Sequence, residues 1–156
     1  METIKLTTGA DYFVKTYLPF AKQSEALTGI SAVFTLAQGG TESAWGAKTT
    51  GNFNFFGIKA DASWKGDIKT NVTHEFVNGK WIVINANFRS YANAADGFTD
   101  HAQFFLTNKR YAKALLVKNN ANLFADAVAI AGYATDPNYN TTLKGVIKSV
   151  ISRLPS

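Results

Sequence analysis

Apolar side chains recur every three to four positions over most of the chain, which predicts a mainly helical protein. The first such stretch covers residues 9–28, where Pro19 is expected to kink or divide the helix and Gly29 to end it. A second helix follows Ser31, whose hydroxyl can cap it, and carries Glu42 near its end. Further helices are predicted over residues 93–106, 111–117, 123–132 and 139–154.

The pattern changes to a period of two over residues 68–89, which predicts two β-strands. Asn78-Gly79 lies between the two halves of this segment, and this dipeptide is the strongest short-range signal for a hairpin. A two-residue turn pairs Glu75 with Ile82 and places a carboxylate among Val and Ile side chains. Such local conflicts tend to mark functional sites. The expected fold is therefore α+β, mainly α, with one small hairpin inserted between helices.

The composition is that of a folded single domain spanning residues 1–156, with 46% hydrophobic and 13% aromatic residues. The net charge of +5 favours polyanionic partners, but the positive residues are scattered, which argues against nucleic acid. With no Cys and only two His, neither a disulfide nor a multi-His zinc site is expected. No apolar run reaches transmembrane length, and the first residues do not resemble a signal peptide.

The most informative segment is GTESAWGAKTTGNFNFFGIK, residues 40–59. Glu42 is a single acid near the end of an apolar helix, where desolvation is expected to raise its pKa. A carboxyl group that is protonated at neutral pH can serve as the general acid that cleaves a glycosidic bond. The alternative is an ordinary solvated residue at a helix end.

Four motifs, taken in order, resemble the glucosaminidase family of peptidoglycan hydrolases, glycoside hydrolase family 73. They are LAQGGTESAWG at 36–46, NFFGIKA at 54–60, FRSYANAADGFTDHAQFFLTNKRY at 88–111 and AGYATDPNY at 131–139. The chain departs from the family pattern at Ala44, where Gly is usual after Glu-Ser, and at Phe53, where the first of two Asn is usual. The resemblance covers nearly the whole chain.

The resemblance implies a lysozyme-like fold in which a glycan groove separates a helical lobe from a small β-hairpin lobe at about residues 61–90. It implies that Glu42 is the general acid, that Glu75 is the second carboxylate, and that Tyr133 lies at the site and affects catalysis. Glu75 would activate water or stabilise an oxocarbenium-like transition state, and Asp61 and Asp67 are its rivals. Expected substrate-binding residues are Asn54, Phe55, Phe56, Trp64, Tyr139 and Gln38. The alternatives are a loop residue that bonds backbone amides for Asn54 and a place in the core for Phe55, Phe56 and Tyr139.

The implied activity is that of an endo-β-N-acetylglucosaminidase, which cleaves the β-1,4 bond between N-acetylglucosamine and N-acetylmuramic acid. Alternatives are a muramidase or lytic transglycosylase on the same substrate, or a glycan-binding module without activity. No metal or organic cofactor is implied, and the expected partner of this monomer is the peptidoglycan strand, without membrane insertion. Action on the wall outside the cytoplasm would require export by a phage holin or a secretion system, or a signal that has been removed; a phage endolysin is one such case.

Overall fold

The computed structural model describes residues 9–155, which form five α-helices, two short 3₁₀ helices and one β-hairpin. The helices are α1 (Ala10–Thr28), α2 (Ala32–Ser43), α3 (Ala94–Thr107), α4 (Ala121–Ile130) and α5 (Tyr139–Arg153). The strands β1 (Asp67–Val77) and β2 (Lys80–Ser90) lie between α2 and α3. The expected α+β class, mainly helical with an inserted hairpin, is confirmed.

Local signals set the ends of α1 and α2. Gly29 ends α1 in the left-handed conformation, with φ of 79°, and the Ser31 hydroxyl accepts a hydrogen bond from the Phe34 N–H to cap α2. Pro19 does not divide α1, contrary to one of the two sequence expectations. It lies on the exposed face of α1, where water can bond the carbonyl that Pro19 leaves without a donor.

Residues 111–117 do not form the predicted α-helix. Two 3₁₀ helices, Lys109–Tyr111 and Ala114–Val117, replace it. The stretch makes fewer than two α-helical turns, so few backbone bonds would offset the cost of nucleation. Burial of the Tyr111 side chain decides its course instead.

α2 is the central helix of the helical lobe and packs against α1, α4 and α5. Two adjacent glycines on α2 make room for aromatic side chains. A Cβ on Gly39 would come within 3.1 Å of the rings of Phe56 and Phe13, and one on Gly40 would come 2.7 Å from Trp45. Packed aromatic rings therefore occupy the space beside these glycines.

The hairpin has the register that the sequence predicts. Glu75 pairs with Ile82 across the strands, and the turn residues Asn78 and Gly79 both have positive φ, 51° and 77°. These values are typical of the type I′ turn that fits the twist of a two-stranded hairpin. The hairpin therefore presents Glu75 on the face that also carries Thr73 and Ile84.

Candidate active site

Glu42 lies in the last turn of α2, just before the chain turns sharply away. Ala44, Trp45 and Gly46 follow with positive φ of 50°, 56° and 89°. The Ser43 hydroxyl donates to the Gly39 carbonyl and accepts from the Gly46 N–H, which fixes this turn. Because the backbone leaves the helix axis here, the Glu42 side chain is only half-buried and can meet a ligand.

The surroundings of Glu42 favour its protonated form. Burial is the main cause that raises the pKa of Glu42, to about 7; the nearby Tyr139 hydroxyl acts against this rise and the Glu75 charge adds to it. The backbone of Gly57 lies alongside, because a Cβ there would be 3.5 Å from Glu42 Oε2. The negative end of the α2 dipole also disfavours a charge in the last turn. Glu42 can therefore hold a proton near neutral pH.

Glu75 carries the opposite protonation state. Its Oε1 lies 2.6 Å from Lys59 Nζ, and its Oε2 accepts a hydrogen bond of 2.9 Å from the Thr135 hydroxyl. Partial burial raises the pKa of Glu75, but the bonds to Lys59 and Thr135 outweigh it, so that the pKa is lowered overall. The site therefore combines a carboxyl group on the helical lobe that can hold a proton near neutral pH with an ionised carboxylate on the hairpin.

Tyr133 and Tyr139 come from the AGYATDPNY motif and stack on each other, with ring centroids 5.9 Å apart. The Tyr133 hydroxyl donates to the Phe56 carbonyl at 3.1 Å. The buried Tyr139 hydroxyl approaches Glu42 and Gln38 but completes no hydrogen bond of good geometry with either. Tyr139 thus lines the inner side of the Glu42 carboxyl, while Tyr133 holds the 56–57 backbone beside it.

Five expected substrate-binding residues are buried. Their exposed fractions are 0% for Gln38, 1% for Asn54, 4% for Phe55, 1% for Phe56 and 8% for Tyr139. Side chains so far from solvent do not line an open groove, so a direct contact with glycan does not agree with this structure. The sequence-based alternative for the two Phe, a place in the core, agrees with these values.

The buried Asn54 side chain holds the backbone of the 54–58 loop in place. Its amide nitrogen donates to the carbonyls of Ile58 and Arg89, and its amide oxygen accepts from the N–H groups of Phe56 and Ile58. All four bonds go to the backbone, as the loop alternative for Asn54 expects. Asn54 thereby fixes the loop that brings Gly57 to Glu42 and joins it to the base of the hairpin.

Trp64 lines a hollow that is separate from the two carboxyl groups. Arg89 is stacked over its ring at 4.9 Å, and its indole N–H donates to the Asp67 carbonyl. Together with Tyr91 and residues of α3, it lines an open hollow of about 510 Å³ that includes neither Glu42 nor Glu75. A contact of Trp64 with substrate at the two carboxylates is therefore not supported by this position.

Three other polar residues have structural partners. Arg89 forms an ion pair of 2.9 Å with Asp100, and buried His101 contacts Gln38 Oε1 through Nε2 at 2.5 Å. Burial lowers the pKa of His101 to about 3, so the imidazole is neutral. Asp100 and His101 therefore bond different partners and do not form a catalytic pair, and the buried His101 has a structural role.

The rival acids for Glu75 do not share its surroundings. Asp61 is exposed and bonded to Ser63, and Asp67 begins β1 far from the turn. Within residues 9–155, no three His, Asp or Glu side chains converge as metal ligands. Nor is any helix among these residues long and apolar enough to cross a membrane.

Two residues at the site were not among the sequence-based candidates, namely Lys59 and Thr135. Both stand inside motifs that carried the resemblance, NFFGIKA and AGYATDPNY. The sequence alone gave no sign that either contacts Glu75, because they are 16 and 60 residues away from it.

Comparison with known proteins agrees with the family resemblance that the four sequence motifs indicate. A sequence profile described as mannosyl-glycoprotein endo-beta-N-acetylglucosaminidase, of the glucosaminidase family, matches residues 18–152. The peptidoglycan hydrolase FlgJ of Vibrio parahaemolyticus is 39% identical over 132 residues, which are 81% of this chain and 43% of FlgJ. The exo-glucosaminidase LytG of Bacillus subtilis is 36% identical over 123 residues, or 73% of this chain and 42% of LytG.

The chain thus spans less than half the length of these curated relatives. Among solved structures, a mutant peptidoglycan hydrolase from Sphingomonas sp. A1 superposes with a TM-score of 0.84 at 33% identity, covering 92% of this chain and 97% of that one. A C-terminally truncated glycoside hydrolase domain of Salmonella typhimurium FlgJ gives a TM-score of 0.73 at 33% identity, covering 90% of this chain and 96% of that one. The fold is therefore lysozyme-like, and the chain belongs to the glucosaminidase family of peptidoglycan hydrolases, glycoside hydrolase family 73.

Proposed function

We propose that this chain is a single catalytic domain that hydrolyses the β-1,4 bond between N-acetylglucosamine and N-acetylmuramic acid within peptidoglycan strands. The observation that carries the proposal is the half-buried Glu42 carboxyl, whose pKa burial raises to about 7, with the ionised Glu75 close enough to influence it. Family membership and the named activities of FlgJ and LytG support the substrate class.

Each carboxyl group has one task in the proposed reaction. Protonated Glu42 donates its proton to the glycosidic oxygen as the bond to the leaving sugar breaks. Glu75, as a carboxylate, removes a proton from an attacking water or stabilises the positive charge that develops at the anomeric carbon. The pH dependence follows: the rate falls as pH rises through about 7, and it falls again in acid where Glu75 becomes protonated.

The buried residues and the tyrosines support Glu42 in this proposal. Asn54, Phe55 and Phe56 set the position of the Gly57 backbone, and Tyr133 holds that backbone through the Phe56 carbonyl. Gln38 and Tyr139 form the inner wall behind the acid. We assign these residues to positioning of Glu42, with direct glycan contact reserved for groups that reach solvent.

The experiment measures loss of turbidity of purified peptidoglycan with wild type, Glu42→Gln and Glu75→Gln. We expect Glu42→Gln to lose about 100-fold or more in rate, because a positioned general acid contributes about 10²–10⁴-fold.

The control is the stability of the Glu42→Gln protein relative to wild type, which is expected to be higher above pH 7 than below pH 4.5. Wild type loses stability relative to this variant as pH rises from 4.5 to about 7, since ionised Glu42 opposes burial. If Glu42→Gln is folded at pH 8 but inactive, the loss of activity is therefore due to the missing general acid and not to unfolding.

Mass spectrometry of the reduced products identifies the bond. A reducing N-acetylglucosamine end supports the proposal, a reducing muramic acid end indicates a muramidase, and an anhydro-muramic end indicates a lytic transglycosylase. Oligosaccharide products indicate endo cleavage, whereas single disaccharides released from chain ends indicate exo cleavage, as the name of LytG states for that enzyme. Wild type that binds glycan without product would favour the binding module.

The anomeric configuration of the first product, followed by NMR, separates the mechanisms. Inversion indicates Glu75 as general base, whereas retention indicates a covalent or a substrate-assisted route. The monomeric state, the route of export and a role in phage lysis stay predictions of the sequence.

A further inference from the structure

The Thr135 hydroxyl connects the helical lobe to two consecutive residues of β1. The Phe76 N–H lies 3.0 Å from Thr135 Oγ1, and Glu75 Oε2 lies 2.9 Å from the same oxygen. A backbone N–H can only donate, so the hydroxyl oxygen accepts that bond and its own hydrogen is free to point at Glu75. The polarity of both bonds is thereby fixed.

The other carboxylate oxygen of Glu75 is held from a second loop. Lys59, which follows the Phe56–Gly57 segment, places Nζ 2.6 Å from Oε1. Each oxygen of Glu75 therefore has one donor outside the hairpin, and the two donors come from separate loops, one before β1 and one between α4 and α5. The charge of Glu75 in turn helps to raise the pKa of Glu42, after burial, which is the main cause.

The contacts with Lys59 and Thr135 restrict the motion of the Glu75 side chain. A glutamate side chain on an exposed hairpin has three rotatable bonds, and ordering it costs conformational entropy. In the outer part of the hairpin, residues 72–85, the side-chain hydrogen bonds to the rest of the described chain all end on Glu75 or Phe76. The same contacts thus place the carboxylate and the outer half of the hairpin.

We propose that Thr135 and Lys59 are positioning residues that hold the Glu75 carboxylate beside Glu42 for the reaction. Neither residue touches the reacting atoms; both act through Glu75. This inference rests on the proposed function, in which Glu75 is the second carboxylate. Thr135 supplies the finer control, because one hydroxyl fixes the backbone of the strand and the orientation of the side chain together.

The test uses matched pairs of variants and the pH profile of kcat/KM on dye-labelled, soluble peptidoglycan fragments. Thr135→Val keeps the shape and removes the hydroxyl, whereas Thr135→Ser keeps the hydroxyl. Lys59→Met and Lys59→Arg form a second pair that removes or keeps the charge. Thermal unfolding and circular dichroism confirm that each protein is folded.

We expect Thr135→Val to lose about 10–100-fold in kcat, in line with the cost of misplacing a catalytic group by about 1 Å. Its acidic limb should move to higher pH, because Glu75 loses a donor that favours its ionised form. Lys59→Met should move that limb in the same direction, and Thr135→Ser and Lys59→Arg should stay near wild type. A merely structural role would lower kcat without moving the limb.

Three results would separate the possible failures. Thr135→Val and Lys59→Met with the wild-type profile, while Glu75→Gln is inactive, would overturn the positioning role and leave the proposed function standing. An equal loss in Thr135→Ser and Thr135→Val would overturn the role of the hydroxyl. Wild-type activity in Glu75→Gln would instead remove Glu75 from the proposed mechanism. Should Thr135→Val fail to fold, the Lys59 pair decides through the same limb.

Discussion

At the scale of single residues, the two departures from the family pattern share one feature. Ala44 and Phe53 both adopt left-handed backbone conformations, with φ of 50° and 54°. The residues usual at these positions, Gly and Asn, are the two types that tolerate this region best. The departures therefore bear on backbone strain in the loop that follows α2 and Glu42.

Restoring the usual residues should stabilise the protein. We expect Ala44→Gly and Phe53→Asn to raise the free energy of unfolding by about 0.5–1 kcal/mol each, because the strain of a left-handed Cβ is relieved. Urea denaturation followed by circular dichroism measures the change. The effects should add, since the two sites are separate turns. Destabilisation by Ala44→Gly would mean that lost chain entropy outweighs the relieved strain.

At the scale of elements, close backbone contacts hold the 51–58 loop between α3 and the base of the hairpin. A Cβ on Gly97 of α3 would come 2.4 Å from the Phe53 carbonyl oxygen, and one on Gly51 would come 2.2 Å from the Arg89 carbonyl oxygen. Only glycine allows these approaches, because backbone atoms cannot turn away as a flexible side chain can. The loop that brings Gly57 to Glu42 therefore depends on tight packing against both elements.

A pair of glycine substitutions tests this packing. Gly97→Ala should destabilise the protein by about 1–3 kcal/mol, the usual cost of overpacking. Gly145→Ala is the control, because it lies on an exposed face of α5 with no atom within 4 Å of its Cβ, and it should stabilise by about 0.5–1 kcal/mol. Thermal unfolding of both variants gives the comparison. Equal midpoints would show that the loop can move away from α3.

At the scale of the whole molecule, the net charge of +5 should draw the protein to anionic cell-wall polymer. We expect the rate of clearing of intact walls to fall as ionic strength rises from about 0.01 to 1 M, because the Debye length shrinks from about 30 to 3 Å. Peptidoglycan stripped of its anionic polymers is the control, and its digestion should depend less on salt. The same salt dependence on both substrates would argue against long-range attraction.

The sequence by itself determined the local structure. Helix ends at Gly29 and Ser31, the hairpin turn at Asn78-Gly79 and the place of Glu42 near the end of a buried helix all follow from signals that act within a few residues. Capping, turn geometry and side-chain periodicity are such signals. Two sequence predictions failed: the division of α1 at Pro19 and the α-helix over residues 111–117. Both outcomes depend on which side chains the tertiary structure buries and which it leaves in solvent.

The tertiary structure decided which groups act on the two carboxyl groups of the site. The pKa of Glu42 depends on burial and on Tyr139 and Glu75, which lie far along the chain. Glu75 is held by partners 16 and 60 residues away, and Asn54 and Phe56 became supports of a loop because tertiary packing buried them. Desolvation, charge and hydrogen bonding act through space, so their sources cannot be found from spacing along the chain.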